Sequence, residues 1–243
     1  MPHATILTII TLLILIIALP LLSLWTGKRI RAAVAAPTVK YLRYARTVVI
    51  LWSLTALALY ALRLHNLEPT YVGLRPPRHI AELAFGLLTL LAPLLAHFSG
   101  ARRVLEGDYA RALRAVVPAG AAQWIAFIPV AASAGICEEF LYRGYALTIL
   151  SSLTGSVVAG ALLSSIAFGA GHAYQGRSGV VGATITGLLY AIIFLATGSL
   201  YPCMLGHFVQ DIAGAAVLSR RLEQAGPPQA AADTRATVWP SSQ

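Results

Sequence analysis

Six side chains in this sequence are of the kinds that activate water or move protons, and they sit where such groups are costly. Glu138, Glu139 and Arg143 fall in the string GICEEFLYRGY, His172 in SSIAFGAGHAY, and His207 and Asp211 in CMLGHFVQD, each embedded in an apolar block. Ionisable groups inside a membrane cost several kcal/mol each, so those that occur face a protein interior or a watery cavity and are functional candidates. Glu139 and Arg143 are four apart, share a helix face and pair with Glu first, as the helix dipole prefers. Glu138 lies about 100° further round the helix, with no local cation. Two neighbouring carboxylates in low dielectric cannot both ionise cheaply. Arg143 therefore keeps Glu139 charged and leaves Glu138 able to take a proton from water as a general base. His207 and Asp211 are likewise four apart on one face, and His172 follows Phe168 by four among small residues that allow close helix packing.

Such groups meeting in a bundle could activate water for hydrolysis, hold a metal ion, or relay protons or ions for transport. Glu138, His172 and His207 would match the His₂Glu pattern of catalytic zinc, although the compact HExxH is missing. Transport predicts broken spans in matching halves of the chain, and the sequence holds no internal repeat. A competing structural reading makes EEFLYR a helix end solvated at the interface, and each histidine an interfacial or packing residue. His97 and Glu82 lie near the ends of the third apolar block, and His3, His65 and His79 lie outside the blocks. None of these five is expected to do chemistry. Cys137 and Cys203 show no CxxC or Cys/His ligand spacing.

The elements that must position these groups are membrane helices. Of the 243 residues, 58% are hydrophobic and 11% charged, against about a quarter charged in soluble domains. The apolar residues run in long blocks that no water-exposed surface could hide, which excludes an ordinary cytosolic enzyme. The sequence predicts an all-α fold, a polytopic transmembrane helix bundle of seven spans, with eight possible if the fourth is split. The candidates are Thr5 to Trp25, Thr47 to Leu62, Ile80 to Phe98, Ala121 to Leu150, Ser156 to His172, Gly179 to Thr197 and Leu200 to Leu218. The first is a retained span rather than a signal peptide, because no basic residue precedes it and no small-residue cleavage site follows. Thirty residues of helix in the fourth would reach about 45 Å across a core of about 30 Å. It must tilt, protrude or break, and Pro129, Gly135 and Gly144 offer places to break.

The balance of 18 basic to 9 acidic residues gives a net charge of +9; 16 of the basic residues are Arg, and they cluster between the apolar blocks. That distribution reports topology and argues against nucleic-acid binding. Gly27 to Arg46 holds Lys28, Arg29, Arg31, Lys40, Arg43 and Arg46 with no acid, which places this linker in the cytoplasm and the N-terminus outside. Alternation then puts Arg102, Arg103, Arg111, Arg114, Arg177, Arg220 and Arg221 on the cytoplasmic side, with Arg75 and Arg78 outside. An eighth span would move Arg220 and Arg221 outside. The expected organisation is a three-span N-terminal region (1–119), a catalytic membrane core (120–219) and a disordered, cytoplasmic C-terminal tail (220–243). Low Lys with high Ala and Arg points to a GC-rich bacterial genome, and so to a bacterial inner membrane.

Taken together, Glu138-Glu139-x-x-x-Arg143, Phe168-x-x-x-His172 and His207-x-x-x-Asp211, in that order on late spans, resemble the CAAX-protease and bacteriocin-processing (CPBP, or Abi) family of intramembrane proteases. The likeness runs over roughly 123–218 and includes EEFLYRG and GSLYPCMLGHFVQD; residues before about 120 carry none. It implies an all-helical fold around a polar cavity, and hydrolysis of a peptide bond in a membrane-associated or C-terminally anchored precursor. Carried over by position, Glu138 would activate water together with His172. Glu139, Arg143 and Phe168 would support them, and His207 with Asp211 would stabilise the oxyanion. Members work through a glutamate-bound water or through a metal, so the resemblance leaves open both no cofactor and a divalent ion such as zinc. The family often has Asn where Asp211 stands, and an ionised carboxylate only accepts hydrogen bonds. Asp211 must then be protonated, bind a cation or orient His207; orientation is the favoured role, because a carboxylate fixes the tautomer of an imidazole that donates to it. Prenylated CAAX-type tails, peptide or bacteriocin precursors and C-terminal sorting tags are the implied substrates, the first weakened by the bacterial composition. The implied partners are that precursor and the lipid bilayer. The alternatives are a non-catalytic scaffold or immunity protein with Glu139 and Arg143 as an internal clamp, and a proton- or ion-coupled transporter.

Overall fold

The computed structural model describes residues 2–32, 37–90 and 113–224, and among them every regular element is helical. In chain order the long elements are α1 (2–32), α2 (Pro37–Leu64), α3 (Ile80–Leu90), α4 (Ala121–Thr154), α5 (Val157–Gly171), α6 (Arg177–Thr197) and α7 (Tyr201–Gln224). Four of them, α1, α2, α4 and α6, are long and apolar enough to cross a membrane. The chain is an integral membrane protein with a polytopic helical bundle. Of the other expected spans, α5 is a shorter apolar helix of 15 residues. The third is seen as α3, and its continuation to Phe98 lies outside the described residues, as do His97, Arg102, Arg103 and Arg111. α7 has the length but not the apolarity, because His207, Gln210 and Asp211 interrupt it and Arg220, Arg221 and Glu223 close it.

Lipid-facing positions are apolar: Ile6, Val49, Ile125, Val158 and Ile192 are all exposed. The core is built from residues such as Leu15, Leu62, Val72, Leu141, Tyr145, Tyr190 and Leu200. It centres on the second half of α4, where every residue from Phe140 to Ala146 is buried. A helix buried all round must be surrounded, and α1, α2, α5 and α6 pack around this one. Gly155, in the left-handed conformation with φ 67°, turns α4 into α5, and Ser156 caps α5 by accepting from the Ala159 N–H at 3.3 Å.

α4 does not break at Pro129, Gly135 or Gly144. It runs as one 34-residue helix that widens into π turns at Ala134–Glu138 and Phe140–Ala146. Gly135 and Gly144 lie inside these turns and let other backbones come close. A Cβ on Gly135 would stand 2.8 Å from the Met204 carbonyl oxygen, and one on Gly144 2.8 Å from that of Val72. A second close crossing joins α3 to α7. A Cβ on Gly86 would collide with the Pro202 carbonyl, and one on Gly206 with the Gly86 carbonyl.

α2 also ties down the approach to α4. Arg43, Tyr44 and Lys40 donate to three successive carbonyls, of Ala115 (3.3 Å), Val116 (2.6 Å) and Val117 (2.8 Å). At the other end α7 stays helical to Gln224, past the expected start of a tail at 220. Leu222 is buried against Leu113 and Val117, its carbonyl accepts from Arg114 at 3.2 Å, and the Ser219 hydroxyl donates to the Pro118 carbonyl. Residues 225–243 of the expected tail lie outside the described residues.

Candidate active site

Glu139 and Arg143 are not at a solvated helix end. They are 0% and 1% exposed, held inside α4 by its π turns, and Arg143 Nη1 donates to Glu139 Oε1 at 3.0 Å. The same oxygen accepts from His207 Nδ1 on α7 at 2.7 Å. Arg143 is packed between rings, its guanidinium carbon 4.1 Å from the centre of Phe168 and 5.4 Å from that of Tyr190. A buried cation facing two π clouds is partly compensated by their quadrupoles.

His207 is the point where the motifs meet. With Nδ1 given to Glu139, its Nε2 faces Glu138 Oε2 at 3.9 Å and Asp211 Oδ1 at 3.8 Å. Neither separation is a hydrogen bond. The expected orienting role of Asp211 is therefore corrected: Glu139 fixes the ring. Asp211, one turn along the same helix, stands off the far nitrogen. Adjacent carboxylates of α4 thus flank opposite nitrogens of one imidazole.

Tyr190, Thr89 and Gln210 complete this cluster, and the sequence reading passed them over. Tyr190 stacks on His207 with centroids 5.7 Å apart and planes at 17°. Its hydroxyl donates to Gln210 Oε1 at 2.9 Å and lies 2.9 Å from Thr89 Oγ1. The available signals were a tyrosine hydroxyl inside an apolar helix, which needs a partner when buried, and a glutamine next to Asp211.

His172 ends α5. Its Nδ1 donates to the Phe168 carbonyl at 2.9 Å, because a carbonyl can only accept, so in the neutral ring Nε2 carries the lone pair. Phe168 stands between the histidines, its centroid 4.6 Å from that of His172 and 6.0 Å from that of His207. The segment after His172 is anchored by the Tyr174 N–H donating to Ser23 Oγ of α1 at 2.9 Å.

Glu138 and His172 line one cavity of about 230 Å³ together with Tyr142 and Phe168. α1 and α2 supply much of its remaining wall, including Leu19, Leu22, Ile50 and Leu51. At about 30 Å³ of liquid volume per molecule, it has room for several waters. The buried Glu138 Oε2 has no hydrogen-bond partner. The structure therefore brings Glu138, His172 and Phe168 to the cavity wall. Glu139, Arg143, His207 and Asp211 stand behind it.

Among the described residues no group of three His, Cys, Asp or Glu side chains is placed to hold a metal ion; the Nδ1 atoms of His172 and His207 are engaged and their Nε2 atoms are not hydrogen-bonded. Of the residues set aside, His65 bonds Thr8 at 3.1 Å and Glu82 accepts from the Arg78 N–H at 3.3 Å. Cys137 and Cys203 are buried free thiols.

Fold and site together define an integral membrane protein with a carboxylate–imidazole centre beside an apolar-walled cavity. Residues 120–213 match the family model described as Rce1-like, type II CAAX prenyl endopeptidase, the CAAX-protease family that the three motifs resemble. All three motifs lie inside the matched segment. No curated protein and no solved structure matches the chain.

Proposed function

We propose that this protein is an intramembrane endopeptidase in which Glu138, with His172, activates the water that attacks a peptide carbonyl. The observation that carries this reading is the unpartnered Glu138 Oε2, on an acid that shares a cavity wall with His172. A water there donates one proton toward Glu138 and the other toward the His172 Nε2 lone pair. As its oxygen bonds to the carbonyl carbon, Glu138 takes the first proton and later delivers it to the leaving amine. The oxyanion needs a donor. His207 Nε2 stands behind the wall, 3.9 Å from Glu138 Oε2, and could serve only as the imidazolium and only with substrate reaching past Glu138, since Nδ1–H is committed to Glu139; the adjoining Glu139 and Asp211 carboxylates balance that charge. No step is routed through a metal.

The substrate is a membrane-associated precursor bearing an apolar anchor, and the Leu19, Leu22, Ile50 and Leu51 wall suits a lipidated or prenylated tail. Residues 120–219 form the catalytic core, with α1 and α2 as its outer wall. The protein resides in a bacterial inner membrane with its N-terminus outside and its C-terminus cytoplasmic, an orientation that the arginine distribution supports. Reconstituted Glu138→Gln and His172→Ala proteins should each lose about 10²–10⁴-fold in cleavage of a farnesylated peptide while melting within a few degrees of the parent. Undiminished cleavage would refute the roles given to Glu138 and His172, and no cleavage by the parent protein would return the chain to the scaffold reading.

A further inference from the structure

Next to the catalytic cavity lies a second hollow, of about 260 Å³, whose wall includes Trp25, Arg29, Arg43 and Arg46. Thr26, Arg43 and Arg46 line both hollows, so the two adjoin. Arg29 lies over the Trp25 ring at 3.6 Å, and Arg43 is partly used by the Ala115 carbonyl at 3.3 Å. Arg46 is exposed, and among the described residues no carboxylate pairs with any of the three arginines. A cluster of positive charge with apolar walls and no acid is built to receive an anion.

The shared cavity narrows the choice of anion, since Arg43, Arg46 and Glu138 all line it. Leu51 lines the catalytic cavity and packs with Cys137, the neighbour of Glu138. Arg46 is five residues before Leu51 on α2, about 8 Å of helix rise. An extended peptide covers that rise alone in two or three residues at about 3.3–3.6 Å each, so its end must lie at least that far from the bond at Glu138. We propose that Arg46 and Arg43, backed by Arg29, bind the free C-terminal carboxylate of the substrate at least two or three residues beyond the bond that Glu138 attacks. This rests on the endopeptidase reading, and it assigns specificity to helices outside the segment matched by the family model.

The probe is a fluorescent peptide ending three residues after a farnesylated cysteine, made as the free acid and as the C-terminal amide. Binding to the full-length Glu138→Gln protein in phosphatidylcholine nanodiscs is compared with binding to Glu138→Gln/Arg46→Gln. The free acid should bind the first about tenfold more tightly than the amide, the worth of one charge-assisted hydrogen bond, and the second should not distinguish the two. Equal affinities on the first protein, or no binding of either peptide, overturn the proposal. So does an effect of Arg46→Gln that appears only with phosphatidylglycerol present and is the same for acid and amide, which would assign the site to a lipid headgroup. Cleavage by the parent protein separates this proposal from the one beneath it. Arg46-dependent binding of an acid that is never cut would sink the endopeptidase reading alone, whereas equal cutting of acid and amide would sink the carboxylate site alone.

Discussion

His207 is held by a carboxylate on another helix, and that choice of partner sets the roles of the acids around it. Glu139 serves two donors through one oxygen, Arg143 and His207. Removing it leaves a guanidinium buried without its counter-ion, a change that costs about 3–5 kcal/mol. Glu139→Ala should therefore lower both the melting temperature and the activity, whereas Glu138→Gln should lower activity alone; thermal melts and cleavage assays run side by side read the difference. Asp211 makes no hydrogen bond to His207, so Asp211→Asn should keep cleavage within about tenfold, the size of one lost electrostatic contact. Complete loss would show that its charge is essential. Tyr190→Phe keeps the stack on His207 and deletes the hydroxyl shared by Gln210 and Thr89. The expected cost is about 1 kcal/mol of stability, measured as a small fall in the melting temperature with the pH profile of cleavage unchanged.

Among the elements, α4 and α7 do the positioning, and both rely on absent side chains. The π turns of α4 widen it where Glu138 and Glu139 must flank one ring, and such turns recur at functional sites. The α3–α7 crossing brings Gly206, the residue before His207, onto the backbone of Gly86. A methyl group there forces α7 outward, so Gly206→Ala should destabilise by about 1–3 kcal/mol and cut activity further by withdrawing the imidazole from Glu139. Gly182 of α6 meets no atom within 4 Å of a built Cβ. Gly182→Ala should be neutral or stabilising by up to about 1 kcal/mol. Equal damage from both substitutions would show that the crossing has no special role.

For the whole molecule, the cavity wall beside Glu138 and His172 is assembled from distant parts of the chain. α1 and α2 close the cavity that α4 and α5 open, so the N-terminal helices belong to the site even though the family match begins at residue 120. Their basic ends also carry the topology. Single cysteines placed at positions 3 and 225 in a chain with Cys137 and Cys203 replaced should react with an impermeant maleimide from opposite faces of sealed vesicles. Labelling of both from one face would require an even number of spans.

The helical class, the membrane setting and the identity of the chemical groups follow from the sequence alone. Blocks of about 20 apolar residues have one stable fate in a bilayer, and Glu138, Glu139, Arg143, His172 and His207 stand out because a charge or imidazole within such a block is expensive. Helical spacing also paired Glu139 with Arg143, since four residues along one helix is a local relation. Spacing could not show that Glu139 reaches His207, 68 residues away, that Tyr190 stacks on that ring, or that Arg46 lines the same cavity as Glu138. Periodicity reports which face of a helix a residue occupies, not which helix packs against that face. The packing is decided by glycine crossings and widened turns, and these act only when the whole bundle is closed.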